Sequence, residues 1–144
     1  MARPTRADRT HAAAMLFAAL VTGAYWVAFF ASGAVQTAHD PVYLAFERAF
    51  PLADGYMAFC FVVSALLLLR GRLAAVPWGI AAGSAMVYLG GMDVLFNLEH
   101  GKYADRGPEM LLEIAINVAC LGFGPFTMLR LWGRRTRLGS MFGR

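Results

Sequence analysis

Three carboxylates interrupt the apolar stretches of this 144-residue chain: Asp54, Asp93 and Glu113. Ionisable side chains are rare in apolar segments of membrane type, and those that occur commonly mark a functional site. When two carboxyl groups lie close together, one of them carries a proton while the other stays ionised. Such a pair can act as general acid and general base. If the fold brings these side chains together, the sequence predicts proton-transfer chemistry.

Asp93 is the acid that a purely structural role explains least well. It lies near the C-terminal end of a predicted membrane helix, where the helix dipole disfavours a negative charge. Asn97 lies about 40° from Asp93 around that helix and His100 about 20° away on the other side, because each residue turns the helix by about 100°. We expect these three residues to form one polar edge, and we place Glu99 in solvent on a different face.

Glu113 belongs to a polar stripe in the last apolar segment. Glu109, Glu113 and Asn117 follow one another at four-residue spacing, so they share a helix face. Lipid does not tolerate such a stripe, and we expect it to point into the protein. Glu109 follows a proline that begins the helix, where the dipole favours an acid by about 0.3 to 1 kcal/mol. The same argument covers Asp54 in part.

Four apolar segments must position these side chains. Hydrophobic residues make up 59% of the chain and charged residues only 15%, whereas a soluble domain is about a quarter charged. We therefore predict an all-α integral membrane protein, a single domain over residues 1–144. A helix needs about 20 apolar residues to cross a bilayer, which places four transmembrane helices at roughly 12–36, 52–70, 75–97 and 109–131.

The first apolar segment follows three arginines, as the core of a cleaved secretion signal would. Its apolar run is longer than the hydrophobic region of such signals. We therefore expect the segment to be retained as a membrane helix.

The basic residues predict the orientation of the bundle. Of the 13 Lys and Arg, all but three lie in the N-terminal arm, the second loop and the C-terminal tail: Arg3, Arg6, Arg9, Arg70, Arg72, Arg130, Arg134, Arg135, Arg137 and Arg144. With four spans these regions share one side, which the positive-inside rule makes cytoplasmic. We expect both termini in the cytoplasm and the protein in the cell membrane. The basic tail then contacts anionic lipid, and no nucleic-acid partner is expected.

The acids lie on the opposite, outer side, apart from Asp8: Asp40, Glu47, Asp54, Asp93, Glu99, Asp105, Glu109 and Glu113. At 1.5 Å per residue, Asp54, Asp93 and Glu113 lie about 24, 27 and 25 Å from the cytoplasmic ends of their helices. Three helices thus bring a carboxylate to one layer. A polar chamber is expected there, with further polar side chains within about two turns: Asn97, Asn117, Tyr56 and Tyr88.

A short amphipathic segment separates the first two spans. Val42, Phe46, Ala49 and Phe50 recur at helical spacing between two prolines. The segment is too short to cross a bilayer and amphipathic enough to lie in its interface. We predict a short helix that either covers the outer face of the bundle or only joins the two spans.

Two spans carry small residues at four-residue spacing. Ala14, Ala18 and Thr22 form such a stripe in the first span, and Gly79 and Gly83 form one in the third. Small residues let helices approach closely. The stripes predict packing inside the bundle, and a homodimer through the same faces is a weaker option.

Two further features of the spans have structural interpretations. Pro125 removes a backbone donor in the last span, which predicts a kink. Cys60 and Cys120 form no CxxC pair, so a thiol redox site is not expected. They are interpreted as small buried hydrophobic residues.

An enzyme for a lipophilic small molecule, such as an isoprenoid, sterol-like or polyketide-like lipid, is the hypothesis that unites these features. Asp93 and Glu113 would exchange protons with the substrate and Asp54 would assist. Isomerisation, cyclisation or epoxide opening suits such a site, because each proceeds by proton transfer without a bound cofactor. Substrate-binding residues would be Asn97, Asn117, Tyr88, Tyr56 and His100. In architecture, though in no aligned motif, the outline is similar to the emopamil-binding family of sterol isomerases and lipid receptors.

Three alternatives stay open. The same carboxylates could bind a lipophilic ligand or carry protons in a transporter. The chain could also be an accessory membrane subunit without catalysis. A metal site built from His39, Glu47, His100 and the layer acids is the least favoured, because the spacing typical of zinc ligands is missing, and no metal ligand is assigned.

Overall fold

The computed structural model describes residues 3–104 and 106–139 of the chain. Regular secondary structure in these ranges is helical throughout, with a 3-10 turn at Lys102–Ala104 and five α-helices: α1 Arg6–Ala31, α2 Pro41–Glu47, α3 Pro51–Leu69, α4 Ala75–Glu99 and α5 Pro108–Gly139. Asp105 and Arg144, which the sequence assigns to opposite sides, lie outside the described residues.

Four stretches are long and apolar enough to cross a membrane by length and composition: Arg6–Ala31, Pro41–Leu69, Ala75–Glu99 and Pro108–Leu138. The expected architecture, an all-helical chain with four apolar helices, is confirmed for the described residues. It is that of a multi-pass membrane protein.

Helix α1 begins before the predicted start of the first span. The Thr5 hydroxyl accepts a hydrogen bond from the Asp8 backbone N–H at 3.2 Å, and the Asp8 carboxylate accepts one from the Thr5 N–H at 2.9 Å. This reciprocal pair satisfies two free donors and fixes the start of the helix. Helix α1 ends at Ala31, before Gly33, whose φ of 67° lies in the left-handed region that favours glycine.

Helix α5 runs without interruption past the predicted end of the last span. It stays helical through Pro125 and continues to Gly139. Near its C-terminal end, Arg134 pairs with Asp8 of α1, and Arg130 lies 3.7 Å from the same carboxylate. We call this end of the bundle the arginine end.

The glycines of α4 bring that helix close to α5. A Cβ atom added at Gly83 would lie 2.7 Å from the carbonyl oxygen of Gly124, and one added at Gly124 would lie 2.8 Å from that of Gly83. The predicted small-residue packing therefore occurs inside the chain. Because α5 covers this face of α4, the face is not free to bind a second copy.

Close backbone contacts join α1 to α3, α3 to α4 and α4 to α5. Within the described ranges, α1 and α5 have no comparable contact along their length. They meet mainly at the arginine end, where His11 Nε2 lies 3.1 Å from Thr127 Oγ1. A groove therefore separates α1 from α5 farther along the bundle, and the small residues Ala14, Ala18 and Thr22 line it.

Helix α2 covers the opposite end, which we call the carboxylate end. Its Phe46 ring stacks on Phe96 of α4 with centroids 4.0 Å apart, and Lys102 Nζ donates to Asp40 Oδ2 at 2.8 Å. The predicted short helix is present, and Phe46 and Phe50 of the expected apolar face pack against the bundle, while Val42 does not. Val42 is 57% exposed, whereas Tyr43 is buried, because the helix turns Tyr43 toward the bundle.

Candidate functional site

A cavity of about 320 Å³ lies between α1, α3, α4 and α5, closed at one end by α2. Four carboxylates line it: Glu47, Asp54, Asp93 and Glu113. Each comes from a different helix, α2, α3, α4 and α5 respectively. We call this space the carboxylate cavity.

Asp93 and Glu113 are held crosswise by asparagines on facing helices. Asn117 of α5 donates its amide N–H to Asp93 Oδ2 of α4 at 2.7 Å. Asn97 of α4 donates in turn to Glu113 Oε1 of α5 through a short hydrogen bond. Hydrogen bonds to ionised groups are shorter and stronger than neutral ones. The exchange fixes both carboxyl groups and ties α4 to α5.

Two side-chain oxygens in this hydrogen-bond network have no donor. Within residues 3–104 and 106–139, Glu113 Oε2 and Asn97 Oδ1 are buried and accept no hydrogen bond. Buried polar atoms are nearly always satisfied by protein or water, so an unpaired one requires an explanation. A donor group on a bound molecule would supply the missing partner.

Asp54 is held by α1. Trp26 Nε1 donates to Asp54 Oδ2 at 2.9 Å, across the contact between α1 and α3. The sequence analysis did not assign Trp26 to the site, since a tryptophan within an apolar span gives no sign of which side chain its N–H contacts. Its N–H orients one oxygen of Asp54 and leaves the other for the cavity.

Glu47 is the carboxylate that sequence reasoning placed on an outer loop without assigning it to the site. Its side chain is only 6% exposed and lines the cavity from the last turn of α2. Tyr43 and Glu47 lie four residues apart and share one helix face. That spacing was the available signal, but the apolar residues at 42, 46, 49 and 50 gave a competing face.

The rest of the cavity wall is mostly apolar. Residues from α1, α3, α4 and α5 contribute, among them Phe17, Val21, Met57, Met86, Leu89, Ile116 and Phe123. No Lys, Arg or His of the described chain lines the cavity. Mostly apolar walls with a few convergent polar groups are typical of a small-molecule site.

The cavity reaches the surface of the bundle between α1 and α5. Phe17 lines it and is 66% exposed, and Val21 and Ala119 are also exposed. In a bilayer these residues face lipid. A hydrophobic molecule can therefore approach the carboxylates laterally from the membrane.

Four of the five residues expected to bind substrate do not line the cavity. Tyr56 is exposed on α3, two residues from Asp54 and therefore on the far side of that helix. Tyr88 is 66% exposed on α4. His100 stacks on Phe96 at 4.1 Å, with Nδ1 2.9 Å from the Phe96 carbonyl oxygen. Asn97 does not line the cavity either, although it donates to Glu113, which does, so Asn117 alone of the expected substrate-binding residues lines it.

Two groups in the loops close the carboxylate end. The hydrogen bond from Lys102 holds the pKa of Asp40 below its ordinary value. Burial raises the pKa of Tyr103, against hydrogen bonding with Asn97 and Asn117, which lowers it. Tyr103 therefore lies beside both asparagines, and it is a further residue that sequence reasoning did not assign to the site.

A metal centre has no support from the geometry. Within the described parts of the chain, no three His, Cys, Asp or Glu side chains are grouped so that they could hold a metal ion. His39 instead pairs with Gln36 at 3.2 Å, away from the carboxylates.

Comparisons with known proteins add no family. No family model matches the chain, and neither a curated protein nor a solved structure gives a match. Function is therefore inferred from the chemistry of the cavity alone.

Proposed function

We propose that this protein is a membrane-embedded acid–base enzyme that acts on a lipophilic small molecule of the isoprenoid, sterol-like or polyketide-like kind. The observation that carries the proposal is the meeting of four carboxyl groups in one mostly apolar cavity, which no basic side chain of residues 3–104 and 106–139 lines. General acid–base catalysis requires a proton donor and a proton acceptor within reach of the same molecule. Carboxyl groups that share a low-dielectric site can hold these two states side by side.

Asp93 and Glu113 are the proposed acid–base pair. Their asparagine partners fix the orientation of one oxygen on each carboxyl group. Glu113 Oε2 has no protein partner among the described residues, so it is free to give or take a proton. Asp54 and Glu47 line the same cavity and can return the proton between turnovers.

The chemistry balances without an external oxidant or reductant. In an isomerisation, one carboxyl group gives its proton to a double bond, and a carboxylate removes a proton from a neighbouring carbon. In a cyclisation, protonation of a double bond, or of an epoxide whose C–O bond then breaks to give a hydroxyl group, leaves an electron-deficient carbon. The electrons of a second double bond in the same molecule form the new ring bond to that carbon, and a carboxylate removes a proton from the resulting cation. Opening an epoxide to a diol would also consume water. Each reaction needs only positioned acids and bases.

Proton transfer from solvent-exchangeable carboxyl groups can be followed with deuterium. Purified protein incubated in D₂O with isoprenoid, sterol and polyketide lipids should place deuterium on carbon in a lipid whose double bond it protonates. Opening of an epoxide places the deuterium on oxygen instead, so its product is identified by the change in mass when water is added. Asp93→Asn and Glu113→Gln should each abolish this incorporation, because an amide cannot exchange a proton in this way. Mass spectrometry of the extracted lipids measures it.

Glu99→Gln is the matched control for both variants. Glu99 is an exposed acid near the end of α4 and does not line the cavity. The Glu99→Gln variant should retain wild-type incorporation of deuterium. Retention of wild-type conversion in both cavity variants would rule out the acid–base enzyme.

A second candidate is a protein that binds or transports a lipophilic cation. The observation in its favour is the excess of acidic over basic groups in the carboxylate cavity. Buried charges require a counter-charge or a proton. Tetraphenylphosphonium binding that is competed by protons, without conversion of any lipid, would favour this candidate over the enzyme. An accessory subunit would show neither binding nor conversion.

We also propose that both termini are cytoplasmic and that the carboxylate end faces outward. The arginines cluster at the opposite end from the carboxylates, as the positive-inside rule requires. Ala104→Cys, at an exposed position near α2, should react with an impermeant thiol reagent from outside intact cells. Arg72→Cys, in the loop between α3 and α4, should not, and the two native cysteines are buried. The reverse labelling pattern would overturn the orientation.

A further inference from the structure

A second cleft lies between α1 and α5 at the arginine end. Its polar lining consists of Arg6, Thr10, His11 and Arg130, and Ala14 and Phe126 form its apolar side. The acid–base chemistry proposed for the carboxylate cavity does not use any of these side chains. Two guanidinium groups, a hydroxyl and an imidazole are the donors that commonly bind a phosphate group.

His11 is a buried polar group with an unused position. It is only 4% exposed, and its Nδ1 has no hydrogen-bond partner among the described residues. Its Nε2 lies 3.1 Å from Thr127 Oγ1. If the Thr127 hydroxyl donates to Nε2, Nδ1 carries the hydrogen and is a buried donor without an acceptor. The Nε atom of Arg130 is likewise buried and unpaired.

The charge around the cleft is positive. Asp8 is the one acid near it, and that carboxylate is shared by Arg134 and, at 3.7 Å, Arg130. In the part of the chain that the structure describes, no acid pairs with the Arg6 guanidinium. A surplus of positive charge therefore remains for an anion.

The depth of the cleft favours a lipid over a free anion. Arg130 lies 17 residues along α5 from Glu113, or about 25 Å at 1.5 Å per residue. The hydrocarbon core of a bilayer is about 30 Å thick, so Arg130 falls near the level of lipid phosphates if the carboxylates lie near the other boundary. Ala14 lines both the cleft and the carboxylate cavity, so the groove between α1 and α5 continues from the charged groups onto an apolar surface.

We infer that this cleft binds the phosphate group of an anionic phospholipid, with Arg6, His11 and Arg130 around the phosphate and an acyl chain along Ala14 and Phe126. The site is distinct from a general attraction of the basic tail for the membrane surface, because it has a defined set of donors. A lipid held there occupies the end of the α1–α5 groove and ties the two helices where they meet. The inference does not depend on the chemistry proposed for the carboxylates.

Native mass spectrometry of the full chain from nanodiscs tests the site. Protein in phosphatidylcholine discs with added phosphatidylglycerol should retain one phosphatidylglycerol after release from the disc. Arg6→Gln should weaken this retention about tenfold, or about 1.4 kcal/mol, because one charged partner of the phosphate is lost. Arg6→Lys should restore most of it. Arg9→Gln is the matched control, since Arg9 is exposed on α1 and does not line the cleft.

The possible outcomes separate the alternatives. Selective loss in Arg6→Gln, with a wild-type helical circular dichroism spectrum, supports the site. Equal loss in Arg6→Gln and Arg9→Gln would show that only diffuse surface charge is involved, and would overturn it. Displacement of phosphatidylglycerol by inorganic phosphate at comparable concentration would overturn the assignment to a lipid. So would a wild-type protein that retains no phosphatidylglycerol.

Discussion

At the scale of single residues, the crosswise hydrogen bonds between α4 and α5 are the feature on which the site depends. Asn97 and Asn117 each donate to a carboxylate on the facing helix. Among the described residues no basic side chain lines the cavity, so amide N–H groups provide the local compensation for negative charge. A hydrogen bond to a charged group contributes about 1.5 to 3 kcal/mol, more than a neutral one.

Asn97→Leu tests this compensation. The substitution leaves Glu113 buried without its donor and should lower the free energy of unfolding by about 1 to 3 kcal/mol. In a Glu113→Gln background the same substitution should be less damaging, because an amide at that position carries no charge. Denaturation in detergent, followed by circular dichroism, measures both. An equal loss in the two backgrounds would contradict the proposed coupling.

The sequence predicted individual site residues to different extents. Asp54, Asp93 and Glu113 were expected in one layer, and they do line one cavity, because helix rise alone sets the height of a residue in a straight span. The direction in which a side chain points is harder to predict from the sequence than its position along the helix axis. Tyr56 and Tyr88 lie near the correct height but point away from the cavity, since which side of a helix is covered depends on how its neighbours pack.

At the scale of elements, α2 is a short helix that depends on a few contacts to stay over the cavity. Asp40 accepts from the Tyr43 backbone N–H at 2.9 Å and from Lys102 at 2.8 Å, so it caps α2 and anchors it to the loop after α4. A helix of this length is not stable by itself in water. Its position therefore responds to the charge on Asp40.

The pH dependence of α2 follows from that ion pair. Lys102 lowers the pKa of Asp40 from its ordinary value of 3.8. The ion pair between Asp40 and Lys102 is therefore fully present above pH 3.8, and it is lost as the pH falls through the lower pKa that Asp40 has in the folded protein. A spin label at Val42→Cys should keep its low mobility at neutral pH and gain mobility only in strong acid.

Lys102→Met should make the same label mobile already at neutral pH, because Asp40 then has no cation beside it. A label at Leu52→Cys, exposed on α3, provides the reference and should change in neither case. Electron paramagnetic resonance line shapes report the mobility. Unchanged mobility of the Val42 label in Lys102→Met would show that other contacts hold α2.

The close packing of α4 on α5 allows a second test at this scale. A Cβ at Gly83 would lie 2.7 Å from the Gly124 carbonyl oxygen, whereas one at Gly91 of the same helix meets nothing within 4 Å. Gly83→Ala should lower the free energy of unfolding by about 1 to 3 kcal/mol through overpacking. Gly91→Ala should be neutral or stabilise by up to about 1 kcal/mol. Thermal unfolding of the two variants in detergent should rank them in this order, and equal stabilities would contradict the packing.

The sequence predicted the presence of the four long helices better than it predicted where each helix ends or which of its faces is buried. The length and apolar character of four segments were sufficient to predict the spans. The start of α1 depends on a capping pair at Thr5 and Asp8, and polar side chains before an apolar run carry little weight in a hydropathy argument. The buried face of α2 could not be derived from seven residues, because two alternative faces fit its pattern.

At the scale of the whole molecule, most of the acids and most of the arginines lie at opposite ends of one bundle, and Ala14 in the groove between α1 and α5 lines both the cleft and the carboxylate cavity. The segregation of charge could be predicted because it follows from alternating spans and loop composition. The groove could not, since it arises from small residues on α1 that face no partner. The stripe Ala14, Ala18 and Thr22 was expected to pack against a helix and instead lines open space.

The groove between α1 and α5 is the route by which we expect a lipid to reach the carboxylates. Ala18→Trp places an indole in the groove and should reduce conversion or binding of the lipid at least about tenfold, equivalent to about 1.4 kcal/mol. Ala13→Trp is the control, because Ala13 is exposed on another face of α1 and does not line the cavity. Both variants keep all the carboxylates and asparagines, so a selective loss in Ala18→Trp separates access from chemistry. The deuterium assay measures it, and equal activity in the two variants would show that the lipid reaches the carboxylates by another path.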